Sequence, residues 1–88
     1  MTLSIEQQEF LSVLEEQLGV VSEALKITDT TRDEYDEWLN NIFFLDRIKH
    51  IEESCVDYVE TQLLNQIKQG NTAAITFYLK TKGKERGY

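Results

Sequence analysis

The amino-acid sequence predicts an all-α protein. The chain of 88 residues has no proline and only four glycines, and it is rich in Leu, Glu, Gln and Lys, which have high helix propensity. Apolar residues recur at steps of three and four along most of the chain, which is the spacing of one helix face. No alternation of apolar and polar residues between turns competes with this pattern. We therefore expect helices joined by short connections.

The first helix is expected from about Ile5 to Leu18. Ser4 followed by Gln7 has the capping-box pattern, in which each side chain bonds the backbone N–H of the other residue. An apolar stripe follows at helical spacing. Its members are Phe10, Leu11, Leu14 and Leu18. Gly19 then interrupts the helix.

A second, short helix is expected from Val20 to about Ile27, followed by a turn and a third helix. Residues 28–31 are Thr-Asp-Thr-Thr, and such short polar side chains compete for backbone hydrogen bonds. Thr31 is suited to cap the third helix, whose inward positions are predicted to be Tyr35, Trp38, Leu39 and Ile42. Two helices joined by a tight turn are typical of a helix-turn-helix, although any small helical bundle contains the same pattern.

A fourth helix is expected from Phe43 or Leu45 to Gln69, because nothing in this segment breaks it. Its apolar stripe consists of Ile48, Ile51, Cys55, Val59, Leu63 and Ile67. A helix of roughly 25 residues is about 37 Å long, more than the other small helices can cover. Two interpretations stay open: the uncovered part pairs with another copy, or the long helix wraps the first three.

The C-terminal segment predicts a helix stop, a fifth helix and a basic tail. Gly70 suits the left-handed position after a helix, and Asn71 suits the cap of the next one. The fifth helix carries Ala74, Ile75, Tyr78 and Leu79 at helical spacing, is expected to end at Gly83, and should dock on the body. The tail contains Lys80, Lys82, Lys84 and Arg86 but only one acidic residue, Glu85, so its net charge is +3. Because the whole chain carries −7, residues 1–79 carry −10. A solvated, frayed terminus is the alternative interpretation of this tail.

Residues with the chemistry of an active site are sparse. Glu53, Asp57 and Glu60 share a helix face but lack the histidine spacing of a metal-binding bundle. His50 has no partner at a useful spacing, and Cys55 has acidic neighbours, which disfavour a reactive thiolate. We predict no catalytic residue, no metal ion and no cofactor. A single cysteine excludes an internal disulfide, and no membrane span or signal peptide is evident, so a cytoplasmic location is expected.

The whole chain resembles the small subunit of phage terminases, specifically the short helix-turn-helix packaging proteins of phages and prophages. The C-terminal end carries most of the resemblance: a leucine-rich helix, then Gly-Asn, an Ala-Ala helix with an aromatic pair, and Leu-Lys before a basic tail. These features stand in this chain as Leu63, Leu64 and Ile67 followed by GNTAAITFYLKTKGKERGY. The N-terminal features in the same order are Gly19, Val20, Ala24, Arg32, Tyr35 and Trp38.

The resemblance implies a non-enzymatic DNA-recognition protein in a bacterial host cell. Residues 1–42 would form a homeodomain-like helix-turn-helix, and residues 43–88 the long helix, short helix and basic tail of one continuous domain. Such a small subunit binds double-stranded viral DNA, forms a homo-oligomer and delivers the DNA to the large terminase subunit, which carries the ATPase and nuclease. The chain itself has no G-x-x-x-x-G-K-[ST] phosphate loop. Candidate DNA-contacting residues are Lys26, Thr31, Arg32, Lys80, Lys82, Lys84 and Arg86.

The third helix departs from the family, whose members are usually basic or polar on its exposed face. Here that face carries Asp33, Asp36, Glu37 and Asn40, and carboxylates would approach the DNA phosphates unfavourably. Either several copies pool Arg32 and the tail, or this face docks a protein and DNA contact is lost or moved to the tail. A phage or prophage transcriptional regulator is a third alternative, which predicts a two-fold dimer on half-sites about 34 Å apart.

Overall fold

The computed structural model describes residues 2–87, which form five α-helices and a short 3-10 turn. The helices are α1 (Ile5–Glu16), α2 (Val21–Thr28), α3 (Arg32–Trp38), α4 (Ile42–Lys68) and α5 (Thr72–Lys82), and the 3-10 turn is Lys84–Arg86. The described residues contain no strand, which confirms the all-α prediction. None of their helices is both long and apolar enough to cross a membrane.

The chain divides into two compact units. The N-terminal unit is Met1–Val56, and the C-terminal unit is Asp57–Tyr88. The first contains α1, α2, α3 and the first half of α4, and the second contains the rest of α4, α5 and the 3-10 turn. A single long helix therefore supplies residues to both units.

Helix α1 begins at the predicted capping box and ends earlier than expected. The Gln7 backbone N–H donates to Ser4 Oγ at 3.1 Å, and the Ser4 N–H donates to Gln7 Oε1 at 2.9 Å. At the other end the Gly19 N–H donates to the Leu14 carbonyl and the Leu18 N–H to the Glu15 carbonyl, which is a Schellman stop. Leu18 itself adopts the left-handed conformation, with φ of 55°. Its prediction as part of the apolar stripe was wrong: it lies outside the helix and is 50% exposed.

The turn between α2 and α3 is built from the polar residues that predicted it. Asp29 closes α2 in the left-handed conformation, with φ of 53°, and Thr28 Oγ1 donates to the Ala24 carbonyl at 2.7 Å. Thr31 caps α3 as expected, because its hydroxyl accepts the Glu34 backbone N–H at 3.1 Å. Helix α3 has only seven residues.

The core of the N-terminal unit is an aromatic cluster surrounded by aliphatic side chains. Phe10 of α1 and Phe44 of α4 are fully buried, and the ring of Phe10 lies 5.3 Å from that of Tyr35 and 5.9 Å from that of Trp38. Tyr35 and Trp38 thus belong to the core side of α3, as their spacing predicted. Ile42 was expected to point inward with them, but that prediction was wrong. It opens α4 and is 72% exposed.

The apolar stripe of α4 is covered only along its first half. Ile48, Ile51 and Cys55 are buried, whereas Val59, one turn further on, is 52% exposed. No residue from 57 to 87 is buried, so the C-terminal unit has a helical scaffold without a core of its own.

The stop between α4 and α5 matches the sequence prediction closely. Gly70 is left-handed with φ of 82°, and its N–H donates to the Ile67 carbonyl while the Asn71 N–H donates to the Gln66 carbonyl. Asn71 then caps α5, since its Oδ1 accepts the Ala74 N–H at 3.0 Å. Backbone groups at the end of α4 and at the start of α5 are therefore hydrogen-bonded.

Candidate interaction surfaces

The outward face of α3 is acidic and fully accessible. Asp33, Asp36, Glu37 and Asn40 are all exposed. Tyr35, between them in sequence, points into the core, which places Asp33, Asp36 and Glu37 on the opposite side of the short helix. Asn40 was predicted to share this helix face but lies two residues beyond the end of α3. This surface is called the acidic face below.

The candidate DNA contacts near the turn already have local partners. Lys26 Nζ lies 3.5 Å from a carboxylate oxygen of Glu23 on the surface of α2. The Thr31 hydroxyl is occupied by the α3 cap, and it also donates to Glu34 Oε1 at 3.0 Å. The Arg32 guanidinium lies 5.8 Å from the centre of the Tyr35 ring, a cation–π distance. Arg32 is exposed and is the residue of these three best able to meet an anion.

Tyr35 links this surface to the core. Burial raises the pKa of its hydroxyl above the ordinary value, the negative charges of Glu52 and Asp36 raise it further, and Arg32 opposes them. The phenol therefore stays neutral over the whole physiological range, and it contributes packing rather than charge.

The basic residues of the tail lie at the end of the C-terminal unit. Lys80 and Lys82 occupy the last turn of α5, and Lys84 and Arg86 lie in the 3-10 turn that follows. All four are exposed. Positive charges are favourable at a helix C-terminus, where the unpaired carbonyl groups point outward. This cluster of four cations is called the basic tail below.

Charge is divided unequally between the two units. The N-terminal unit has four basic and thirteen acidic residues, for a formal net charge of −9. The C-terminal unit has five basic and three acidic residues, for +2. An anionic partner therefore meets attraction at the C-terminal unit and repulsion at the other.

An apolar groove runs along the C-terminal unit between α4 and α5. Its volume is about 700 Å³. Sequence patterns did not predict it as a site, although the exposed half of the α4 stripe and the aromatic pair of α5 were its signals. It is lined by Asp57, Glu60, Thr61, Leu63, Leu64 and Ile67 of α4 and by Phe77, Tyr78, Thr81 and Lys82 of α5.

The groups considered for catalysis lie apart from one another. His50 is exposed, and its Nδ1 lies 2.9 Å from the Asp46 carbonyl oxygen. Cys55 is buried in the core, as its spacing predicted. Among residues 2–87, no group of three or more His, Cys, Asp or Glu side chains is arranged to hold a metal ion.

Comparison with known proteins gives no assignment: no protein-family model, curated protein or solved structure matches the chain. Charge, exposure and shape distinguish three surfaces of the protein, namely the acidic face, the basic tail and the apolar groove.

Proposed function

We propose that the protein is a non-enzymatic small terminase subunit of a phage or prophage, which binds viral double-stranded DNA as a homo-oligomer and delivers it to the large subunit. The resemblance described above supports this proposal along the whole chain. The observation that carries it is the separation of charge: the exposed cations concentrate in the basic tail, while the N-terminal unit is strongly acidic.

In this proposal α1, α2 and α3 are a homeodomain-like helix-turn-helix that does not insert α3 into DNA in the usual way. A recognition helix lies in the major groove between two rows of phosphates. The acidic face would bring Asp33, Asp36 and Glu37 close to those phosphates, and only Arg32 of the same helix would offset them. We therefore assign the main DNA contact to the basic tail, with Arg32 as an auxiliary contact.

The tail is sufficient for this role only in several copies. Each phosphate neutralised by Lys or Arg releases a counterion, and this release supplies most sequence-independent affinity. One chain offers four such cations in the tail. An oligomer multiplies that number on one DNA molecule, and the linked contacts add avidity without any new residue.

The decisive experiment measures binding of the purified protein to duplex DNA across a salt series from about 50 to 200 mM. Lys82→Ala/Lys84→Ala should weaken binding at least about ten-fold at 50 mM and reduce the salt slope by about two per chain. The matched control is Arg47→Ala/Lys49→Ala, which removes two exposed cations of the N-terminal unit and should leave both quantities nearly unchanged.

Two outcomes would overturn the proposal. The wild-type protein could retain no DNA at about 50 mM salt even at high concentration, which would remove direct binding. Alternatively, the tail variant and its control could lose affinity equally, which would show that DNA binding depends on the net charge of the protein and not on the basic tail.

A second function is favoured by the acidic face alone. Three exposed carboxylates on one short helix suit a basic surface of a protein partner, and α3 would then serve as a docking element. The test is Asp33→Lys/Asp36→Lys/Glu37→Lys, with Glu6→Lys/Glu9→Lys/Glu15→Lys of α1 as a control of equal charge change on exposed residues. Stronger DNA binding with an unchanged association with the large subunit would exclude docking, whereas loss of that association in the α3 variant alone would support it.

A further inference from the structure

We infer that the apolar groove of the C-terminal unit binds the same groove of a second copy, so that two α4–α5 pairs lie side by side with their helices running in the same directions. This inference specifies the interface of the oligomer in the proposed function. It rests on the shape and charge of the C-terminal unit and requires no DNA.

The C-terminal unit gains little stability from its own contacts. It spans 32 residues, below the roughly 40 residues at which a chain usually forms a sufficient core without additional support. No residue from 57 to 87 is buried. Since a helix of this kind is stabilised mainly by packing of its apolar face, another surface has to cover that face.

The groove offers the apolar area that such packing needs. Leu64, Phe77 and Tyr78 line it and are each about half exposed. Leu63 and Ile67 lie deeper and are partly covered. Large aromatic and aliphatic side chains along two neighbouring helices are the contacts that join helix pairs into four-helix bundles.

The charges at the end of the groove select a second copy as the occupant. The chain reverses at Gly70, so Asp57 and Glu60 of α4 line the same end of the groove as Lys82 of α5. That end carries both signs, and a two-fold axis parallel to the helices would place the carboxylates of each copy beside the lysines of the other. A surface that is complementary to itself is the requirement for a two-fold interface.

The opposite orientation gains less from these charges. Lys68 ends α4, close to Gly70. If the second copy ran in the reverse direction, Lys68 would meet an end that carries Asp57 and Glu60 as well as Lys82, so attraction and repulsion would largely cancel. Parallel alignment instead lets the carboxylates of each copy face the lysines of the other.

The first experiment measures mass in solution by sedimentation over a concentration series. The wild-type protein should reach twice the 10.3 kDa of one chain, and Phe77→Glu should remain at the single mass. Ile27→Glu of α2 is the matched control, because Ile27 and Phe77 are both 56% exposed, and it should associate like the wild type.

Folding of the N-terminal unit in the variant is checked separately. The thermal unfolding of the N-terminal unit, followed through Trp38 fluorescence, should be unchanged in Phe77→Glu at a concentration where the wild type is also dissociated. A wild-type protein that stays at the single mass at high concentration would overturn the inference, as would equal loss of association in Phe77→Glu and Ile27→Glu.

The second experiment tests the alignment by mixing two variants of the full chain. Lys80→Glu/Lys82→Glu alone and Asp57→Lys/Glu60→Lys alone should each weaken association about ten-fold, because each brings like charges together. An equimolar mixture should recover association to within about three-fold of the wild type. A mixture no tighter than either variant alone would overturn the parallel arrangement.

The fates of the two proposals can be separated. A wild-type protein that pairs through the groove but retains no DNA loses only the proposed function. A protein that binds DNA through the basic tail as an oligomer that Phe77→Glu leaves intact loses only this inference.

Discussion

The two units of the chain differ in how much of their apolar surface is buried. The N-terminal unit encloses its own core, with Phe10 and Phe44 fully buried between α1, α3 and α4. The C-terminal unit has well-capped helices but buries none of its described residues. The comparison teaches that good caps and helical periodicity establish helices, whereas the number of elements around an apolar face decides whether a core forms.

The same division holds for charge. The N-terminal unit carries −9 and the C-terminal unit +2. The half of the protein that contains the buried core is thus the half that repels nucleic acid. The half with the cations is the one that we expect to need a second copy, so association and attraction for anions are placed on the same segment.

The largest expected effect comes from removing a large side chain of the N-terminal core, compared with one of the C-terminal unit. Phe10→Ala should lower the free energy of unfolding by about 3–5 kcal/mol, because it leaves a cavity in the aromatic cluster. Leu64→Ala should lower it by less than about 1 kcal/mol at micromolar concentration, since its side chain is half exposed. Urea unfolding followed by circular dichroism gives both values. Equal losses would show that the units do not differ in packing.

An intermediate effect is expected from Gly19 and Gly70, two of the three left-handed glycines among the described residues. An alanine at either position costs about 1–2 kcal/mol of backbone strain, and the added methyl group would meet only ordinary contacts at Gly19 and none at Gly70. Gly19→Ala should therefore reduce the stability of the N-terminal unit by that amount. Gly70→Ala should leave this stability unchanged and instead accelerate amide hydrogen exchange in α5 about ten-fold. Reduced global stability in both variants would contradict independent opening of the C-terminal unit.

A smaller effect is expected from alkaline pH. Burial raises the pKa of Tyr35 above its ordinary value of 10.0, so the folded state prefers the neutral phenol. Its contribution to stability is complete below pH 10 and is lost as the pH rises through the folded pKa. Tyr35→Phe should flatten the decline in unfolding free energy above pH 10, as measured by urea unfolding at a series of pH values.

The smallest effect is expected from single surface cations. Lys26 pairs with Glu23 at 3.5 Å in an exposed position, and such pairs contribute less than about 0.5 kcal/mol. Lys26→Ala and Lys68→Ala should both change the unfolding free energy by no more than this. A larger loss in Lys26→Ala, measured by the same urea titration, would mean that the turn between α2 and α3 depends on the ion pair.

Most of the fold could be predicted because capping and stop residues close in sequence determine where its helices begin and end. Ser4 with Gln7, Thr31, and Gly70 with Asn71 each form the cap or stop that their type favours. Leu18 could not be predicted in the same way. The Schellman stop requires a left-handed residue at that position, and leucine is a poor choice for it, so only the neighbouring Gly19 indicated where the helix would end.

The surfaces were less predictable than the helices. The exposure of the acidic face followed from helical spacing once Tyr35 was assigned to the core. The spacing of Ile42 suggested the same inward direction. However, α3 ends at Trp38 and a new helix begins at Ile42, so the Ile42 side chain does not continue the inward face of α3. The groove depends on where α5 lies beside α4, and such a tertiary arrangement is not encoded in the period of either helix.

The position of Cys55 gives the protein a built-in chemical reporter. Its sulfur lies beside Gly19, in the turn after α1, where an added methyl group would lie 3.8 Å from it. As the only thiol of the chain, it can react with a labelling reagent only when its surroundings open. Cys55 is the last buried residue of α4. The rate of that reaction would therefore measure how often α4 separates from the core near Cys55, without any engineered label.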